Sequence, residues 1–124
     1  MTGWSLVGVH HVQLAMPPEQ EETAERFYAG VLGMERVPKP DHLAGRGGCW
    51  FRGAGLEVYL GVEEGFRPSA KAHPALRVQG LATLRRSLQE AGADVTDDTQ
   101  LEGHDRCYVR DPFGNRLELI EESA

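Results

Sequence analysis

The chain has 124 residues, 40% of them hydrophobic and 26% charged, with a formal net charge of -6. This suits one soluble domain with a sizeable core, and the acid excess argues against a nucleic-acid backbone or an anionic membrane surface as partner. No apolar run reaches the ~18 residues of a membrane helix, the N-terminus lacks the basic and apolar regions of a signal peptide, and two cysteines make neither a disulfide framework nor a zinc motif, so the expected location is cytoplasmic.

In chain order, residues 6–16 read as a strand that Pro17-Pro18 ends. Val12, Leu14 and Met16 share one of its faces; His11, Gln13 and Ala15 share the other. A helix is predicted over 19–32, with Ala24, Phe27, Tyr28, Val31 and Leu32 on one apolar stripe, acids in its first turn and Gly33 as its cap. A short strand over 34–37, a Pro- and Gly-rich loop over 38–48, and strands over 49–52 and 56–62 follow. Residues 63–70 connect to a second half.

There the pattern restarts. The spacing predicts a strand over 72–79, which Pro74 confines to an edge or to an unpaired position. A helix over 81–91 carries Leu81, Leu84, Leu88 and Ala91 and is capped by Gly92. Then come a strand over 93–96, a polar loop over 97–105 and closing strands over 106–110 and 116–121, with the Asp111-Pro112-Phe113-Gly114-Asn115 turn between them.

The halves match in register. Tyr59 stands as far beyond Gly33 as Glu118 stands beyond Gly92, and over that span Cys49 falls on Cys107 and Trp50 on Tyr108. This is an internal duplication, with module one at about 5–63 and module two at about 70–122, expected to form one α+β domain of two βαβββ units related by a pseudo-twofold axis. It makes His11 equivalent to His73 and Tyr59 equivalent to Glu118. All four occupy the strand face opposite the helix-packing residues. Two imidazoles and a carboxylate on rigid strands are the donors of a 2-His-1-carboxylate metal site with open positions.

Taken singly, His11 and His73 also read as histidines bonded within a cavity, and Glu118 as a solvated carboxylate. Trp50 and Tyr108 share the cavity face and form either an aromatic wall or ordinary packing. Arg77, Arg106 and Arg116 on that face hold an anionic substrate or pair with nearby acids. His10 has the parity of the helix-covered residues and is expected to be structural. Cys49 and Cys107 read as small buried hydrophobes. His42 and His104 fall in loops.

His11-Val12-Gln13-Leu14, Phe27-Tyr28 with Val31-Leu32-Gly33-Met34, His73-Pro74-Ala75-Leu76, and Asp111–Asn115 with Leu117-Glu118-Leu119 resemble the vicinal oxygen chelate superfamily. That superfamily groups glyoxalase I, bleomycin-resistance proteins, fosfomycin-resistance transferases and extradiol dioxygenases. The resemblance covers nearly the whole chain. It implies two βαβββ modules in a sheet curled around a cavity, a homodimer, and a divalent metal (Fe, Mn, Ni or Zn) held by His11, His73 and Glu118. The metal would chelate adjacent oxygens of a small substrate and act as a Lewis acid.

Tyr59 falls where glyoxalase I resembles a four-ligand site. A neutral phenol is a poor ligand, and Glu57, on the same face, lies one pleat (about 7 Å) away. The expectation is therefore a three-ligand, dioxygenase- or lyase/transferase-like enzyme rather than glyoxalase I. Tyr59 and Glu118 are its expected catalytic residues, with Gln13, Trp50, Glu57, Arg77, Arg106, Tyr108 and Arg116 around the substrate. The alternative is a metal-free, drug-sequestering protein with an acidic, aromatic groove.

Overall fold

Apolar alternation at Val12, Leu14 and Met16 builds strand β1 (Val12–Met16) in the computed structural model of the chain, which describes residues 3–97 and 105–122. The sequence predicted a longer strand. Residues 3–11 are not part of the strand, because β1 runs in register with β4 (Leu56–Val62) only from Val12 opposite Val58 to Met16 opposite Val62. In this stretch Trp4, Leu6, Val7 and Val9 are 71–95% exposed.

Glu19 adopts a φ of 62°, outside the helical region, so helix α1 (Glu21–Glu25) starts later than predicted. It continues as a π-helical segment (Arg26–Val31), marked by the bond from the Leu32 N–H to the Phe27 carbonyl. The wide turn directs two consecutive rings inward, Phe27 and Tyr28. Strand β2 (Glu35–Val37) follows. Within the predicted loop lies a short helix, α2 (Asp41–Ala44), closed by N–H groups of Leu43 and Ala44 on the Pro40 carbonyl. Gly48 is required where the chain enters β3 (Cys49–Gly53), since an added Cβ would meet the Leu60 carbonyl oxygen at 2.2 Å.

Module two repeats the plan with β5 (Ala75–Val78), α3 (Leu81–Glu90), β6 (Val95–Asp97), β7 (Arg106–Arg110) and β8 (Arg116–Glu121). Strand β5 is shorter than predicted, and His73 and Pro74 precede it. It lies at the edge of its sheet, one of the two arrangements that Pro74 allowed. Most of the predicted 97–105 loop, His104 included, lies outside the described residues.

The strands form two four-stranded mixed sheets, β1-β4-β3-β2 and β5-β8-β7-β6. Each has one parallel pair, β1 with β4 and β5 with β8. The duplication holds at the level of pairing: Trp50 faces Tyr59 in one sheet as Tyr108 faces Glu118 in the other. Each sheet buries its other face under its helix. Met16, Phe51, Val58 and Leu60 pack with Ala24, Phe27 and Tyr28; Val109, Leu117 and Leu119 belong with Leu81 and Leu88 to the same buried core. Ala91, placed on the second helix stripe by sequence, is exposed instead, beyond the end of α3.

Cys49 and Cys107 are free and buried, and burial pushes the Cys49 thiol up to about 11 and raises that of Cys107. The thiolate is the reactive form. Iodoacetamide at pH 8 is therefore expected to label neither cysteine in the native protein and both after denaturation, as read by mass spectrometry. Rapid native labelling of Cys49 would contradict this packing.

A buried polar clasp joins the modules. Asp111, 4% exposed, accepts the Tyr28 hydroxyl of module one at 2.7 Å, the N–H groups of Phe113 and Asn115, and the Asn115 Nδ2. Asn115 Nδ2 also donates to the Ala15 carbonyl in β1 at 2.8 Å. The Tyr28 phenol is held well above its ordinary value by burial and then by Asp111, so it remains a donor.

Candidate functional site

The face of each sheet opposite its helix carries the candidate residues. In module two, the carbonyl of Lys71 fixes His73 by accepting from its Nδ1 at 2.7 Å. The other ring nitrogen, Nε2, lies 2.8 Å from Glu118 Oε1. Arg106 donates to Glu118 Oε2 at 2.9 Å and to the Tyr108 hydroxyl at 3.2 Å. Tyr108 meets the His73 ring edge-on, and its face carries the Arg116 guanidinium at 3.9 Å. Glu118 is 6% exposed. Burial pushes its carboxyl up, but the bonds from Arg106 and His73 outweigh burial and hold it below its ordinary value, as a carboxylate.

This arrangement constrains the histidine. A carbonyl only accepts, so the proton on Nδ1 is committed to Lys71. In a neutral ring, Nε2 then presents a lone pair to a carboxylate oxygen 2.8 Å away. Two acceptors at that distance need a cation between them, either the second proton of an imidazolium or a metal ion. The outer partners also suit a metal ligand pair: a backbone carbonyl orients the imidazole, and Arg106 holds the carboxylate's second oxygen away from the first. His73 and Glu118 thus fit two positions of a divalent metal site.

In module one, His11 stacks on Tyr59 with ring centroids 4.1 Å apart, and Trp50 stacks on the opposite side of Tyr59 at 4.1 Å. Tyr59 donates to Glu57 Oε1 at 3.2 Å, and Arg52 pairs with the same oxygen at 3.7 Å. Burial and the Glu57 bond raise the Tyr59 phenol above its ordinary value, so it is neutral. Trp50, Glu57 and Tyr59 line a cavity of about 740 Å³ with Arg52 and Lys39. Gln13, opposite Tyr59, is exposed and bonds the Leu14 carbonyl.

The structure therefore brings His73 and Glu118 together and leaves His11 apart: among the described residues no three His, Cys, Asp or Glu side chains are grouped to hold a metal. His10, assigned a structural role by its parity, is exposed, because the strand begins only at Val12; its Nδ1 lies 3.0 Å from the His11 Nδ1. The arginines separate. Arg106 is engaged by Glu118, Arg77 is 80% exposed and paired with Glu122, and Arg116 rests on Tyr108. The contributions of Lys71 and His10 were not visible in the sequence, one being a backbone carbonyl and the other depending on where β1 begins.

The two-module fold is that of a vicinal oxygen chelate protein, and comparison with known proteins agrees. A model of the glyoxalase-like domain matches residues 13–120, and the chain belongs to that family. A solved glyoxalase family protein from Bacillus anthracis is 43% identical, with a TM-score of 0.91 over 96% of this chain and 98% of that one. The fosfomycin resistance protein FosX from Listeria monocytogenes shares the fold at 15% identity, with a TM-score of 0.76 over 96% of each chain. A member of the glyoxalase/bleomycin resistance protein/dioxygenase superfamily from Sphaerobacter thermophilus does so at 23% identity and a TM-score of 0.73, over 94% of this chain and all of the other. No curated protein sequence matches the chain. Among the described residues no helix is long and apolar enough to cross a membrane.

Proposed function

We propose that the protein is a cytoplasmic, metal-dependent enzyme acting on a small oxygenated substrate, dioxygenase- or lyase/transferase-like rather than a glyoxalase I. The observation that carries this reading is the His73–Glu118 pair, a ring nitrogen and a carboxylate oxygen 2.8 Å apart and oriented by Lys71 and Arg106. These two side chains would hold a divalent ion (Fe, Mn, Ni or Zn), with His11 of a second copy as third ligand. When bound, the ion supplies Lewis acidity to two adjacent substrate oxygens.

The chain's own residues supply the rest. Tyr59, a neutral phenol off the ligand set, leaves coordination positions open and presents its hydroxyl beside Glu57 for a hydrogen bond to substrate. Trp50, stacked on Tyr59 and lining the same cavity, gives the substrate an aromatic wall. Arg106 keeps Glu118 ionised and oriented. Two buried free thiols suit a reducing compartment.

A homodimer follows from the same reading. His11 lies apart from the half-site of its own chain, and β1 and β5 are open edges. The exposed apolar segment that leads into β1 has the composition of a strand that pairs with another chain. Wild type is expected to sediment as a dimer, and the double variant Leu6→Asp/Val9→Asp as a monomer. A concentration-independent wild-type monomer would refute the assembly.

A second reading, the metal-free sequestering protein, draws on one observation: Arg106 and His73 together occupy both Glu118 oxygens, a closed ion-pair set that can stand without a metal. Elemental analysis of protein purified without chelator, followed by titration with Fe(II), Mn(II), Ni(II) and Zn(II), separates the two. The enzyme reading expects stoichiometric metal. Failure to take up any of the four ions favours sequestration.

A further inference from the structure

Arg110 and Arg116 sit directly opposite each other on β7 and β8. Directly opposed like charges destabilise a strand pair, and this pair closes a hairpin in a protein of net charge -6. Neither arginine has an ion pair among the described residues, although other arginines of the chain, Arg36, Arg85 and Arg106 among them, do. Arg110 donates to the carbonyls of Gly114 and Ser69, which fix it at the turn. The Arg116 guanidinium carbon lies over the Tyr108 ring, 3.9 Å from its centroid. This cation–π contact holds the group by its charge and uses none of its five N–H donors.

Both arginines line one cavity of about 280 Å³ with Tyr108, Thr96 and Asp94. Asp94 is the acid of this lining, so two guanidinium groups outweigh one carboxylate. The cavity's place is informative. Arg116 is two residues from Glu118 on the same face of β8, so its Cα stands about 7 Å from that of the candidate metal ligand. Tyr108 touches both His73 and Arg116 and spans the two positions.

We propose that Arg116 and Arg110, with the Thr96 hydroxyl, form a subsite for an oxyanion, a carboxylate or phosphate group, that takes the anionic end of the substrate. Its place in catalysis rests on the reading in the preceding subsection; anion binding itself does not. The bound group would lie between the opposed guanidiniums and relieve their repulsion, and a bidentate contact on the Arg116 fork would set substrate orientation relative to His73 and Glu118.

The test is a titration of metal-free protein with inorganic phosphate, and separately with acetate, at constant ionic strength in a chloride background, followed by NMR at the Thr96 amide and the Tyr108 ring. Saturable shifts are expected for wild type, with affinity at least tenfold weaker in Arg116→Gln and partly restored in Arg116→Lys. The tighter of the two probes identifies the group, and either supports the subsite. Equal affinity in Arg116→Gln, equal response to chloride, or shifts confined to other residues would overturn it. Arg116→Gln should take up metal as wild type does. Wild type that binds no divalent metal but shows Arg116-dependent anion binding overturns the metal reading and leaves the subsite standing; metal uptake without anion binding does the reverse.

Discussion

Asp111→Ala is expected to lower the unfolding free energy by about 3–5 kcal/mol. The carboxylate is buried and accepts four hydrogen bonds, from the Tyr28 hydroxyl, the Phe113 and Asn115 amides and the Asn115 side chain. Alanine removes the acceptor and leaves those donors without it, and each buried donor left unmade costs about 1–3 kcal/mol, with sub-additive sums as the turn relaxes. Tyr28→Phe removes a single partner and is expected to cost less, about 1–2 kcal/mol. Urea denaturation of the three proteins measures both. The two effects should also be non-additive in the double variant, since one contact is shared. Because the clasp ties the helix of module one and the β1 carbonyl of Ala15 to the closing turn of module two, its loss should loosen the modules relative to each other. An Asp111→Ala protein as stable as wild type would mean that the modules are held by other contacts.

The sequence carried most of the fold because strand parity and the duplication agree. Leu117 and Leu119 alternate with Arg116 and Glu118, and the same alternation recurs at Val58 and Leu60 around Tyr59, so both faces were assigned before any pairing was known. It failed where a local pattern depends on a distant partner. Asp-Pro-Phe-Gly-Asn is turn chemistry, and it does form a turn, but the role of Asp111 and Asn115 as a clasp rests on Tyr28 and Ala15, far away in the chain. Residues 6–11 alternate like a strand and have no strand to pair with among the described residues. The three cavity arginines share one parity, and only side-chain geometry shows that Arg106 is engaged by Glu118 while Arg116 is held by an aromatic face. The repeat singled out His11, His73 and Glu118 as candidates on equivalent faces. Their division into a pair and a separate histidine was not legible, because parity fixes a face and says nothing of how two sheets are placed.

That division leads to the second large effect. Removing one ligand of a three-ligand site should weaken metal binding by at least ~100-fold, more than loss of an outer-shell partner. His11→Ala and Glu118→Gln are each expected to lose metal, although in one chain His11 precedes β1 of the first sheet and Glu118 lies in β8 of the second. His73→Ala should do the same. Tyr59→His adds an imidazole beside His11 and is expected to tighten binding while closing an open position. Arg106→Gln, which releases the second Glu118 oxygen, should weaken binding by about 10–100-fold without abolishing it.

The most direct measurement is calorimetric metal titration of His11→Ala and Glu118→Gln proteins, first separately and then after co-refolding in equal amounts. In a twofold dimer with shared sites, each mixed dimer joins one intact His11 to one intact His73–Glu118 pair, and random pairing restores about a quarter of wild-type capacity. The predicted result is no high-affinity binding by either variant alone and recovery of that fraction on mixing. Wild-type affinity in His11→Ala alone, or no recovery in a mixture shown to contain mixed dimers, would contradict a metal centre built from His73 and Glu118 of one chain and His11 of another.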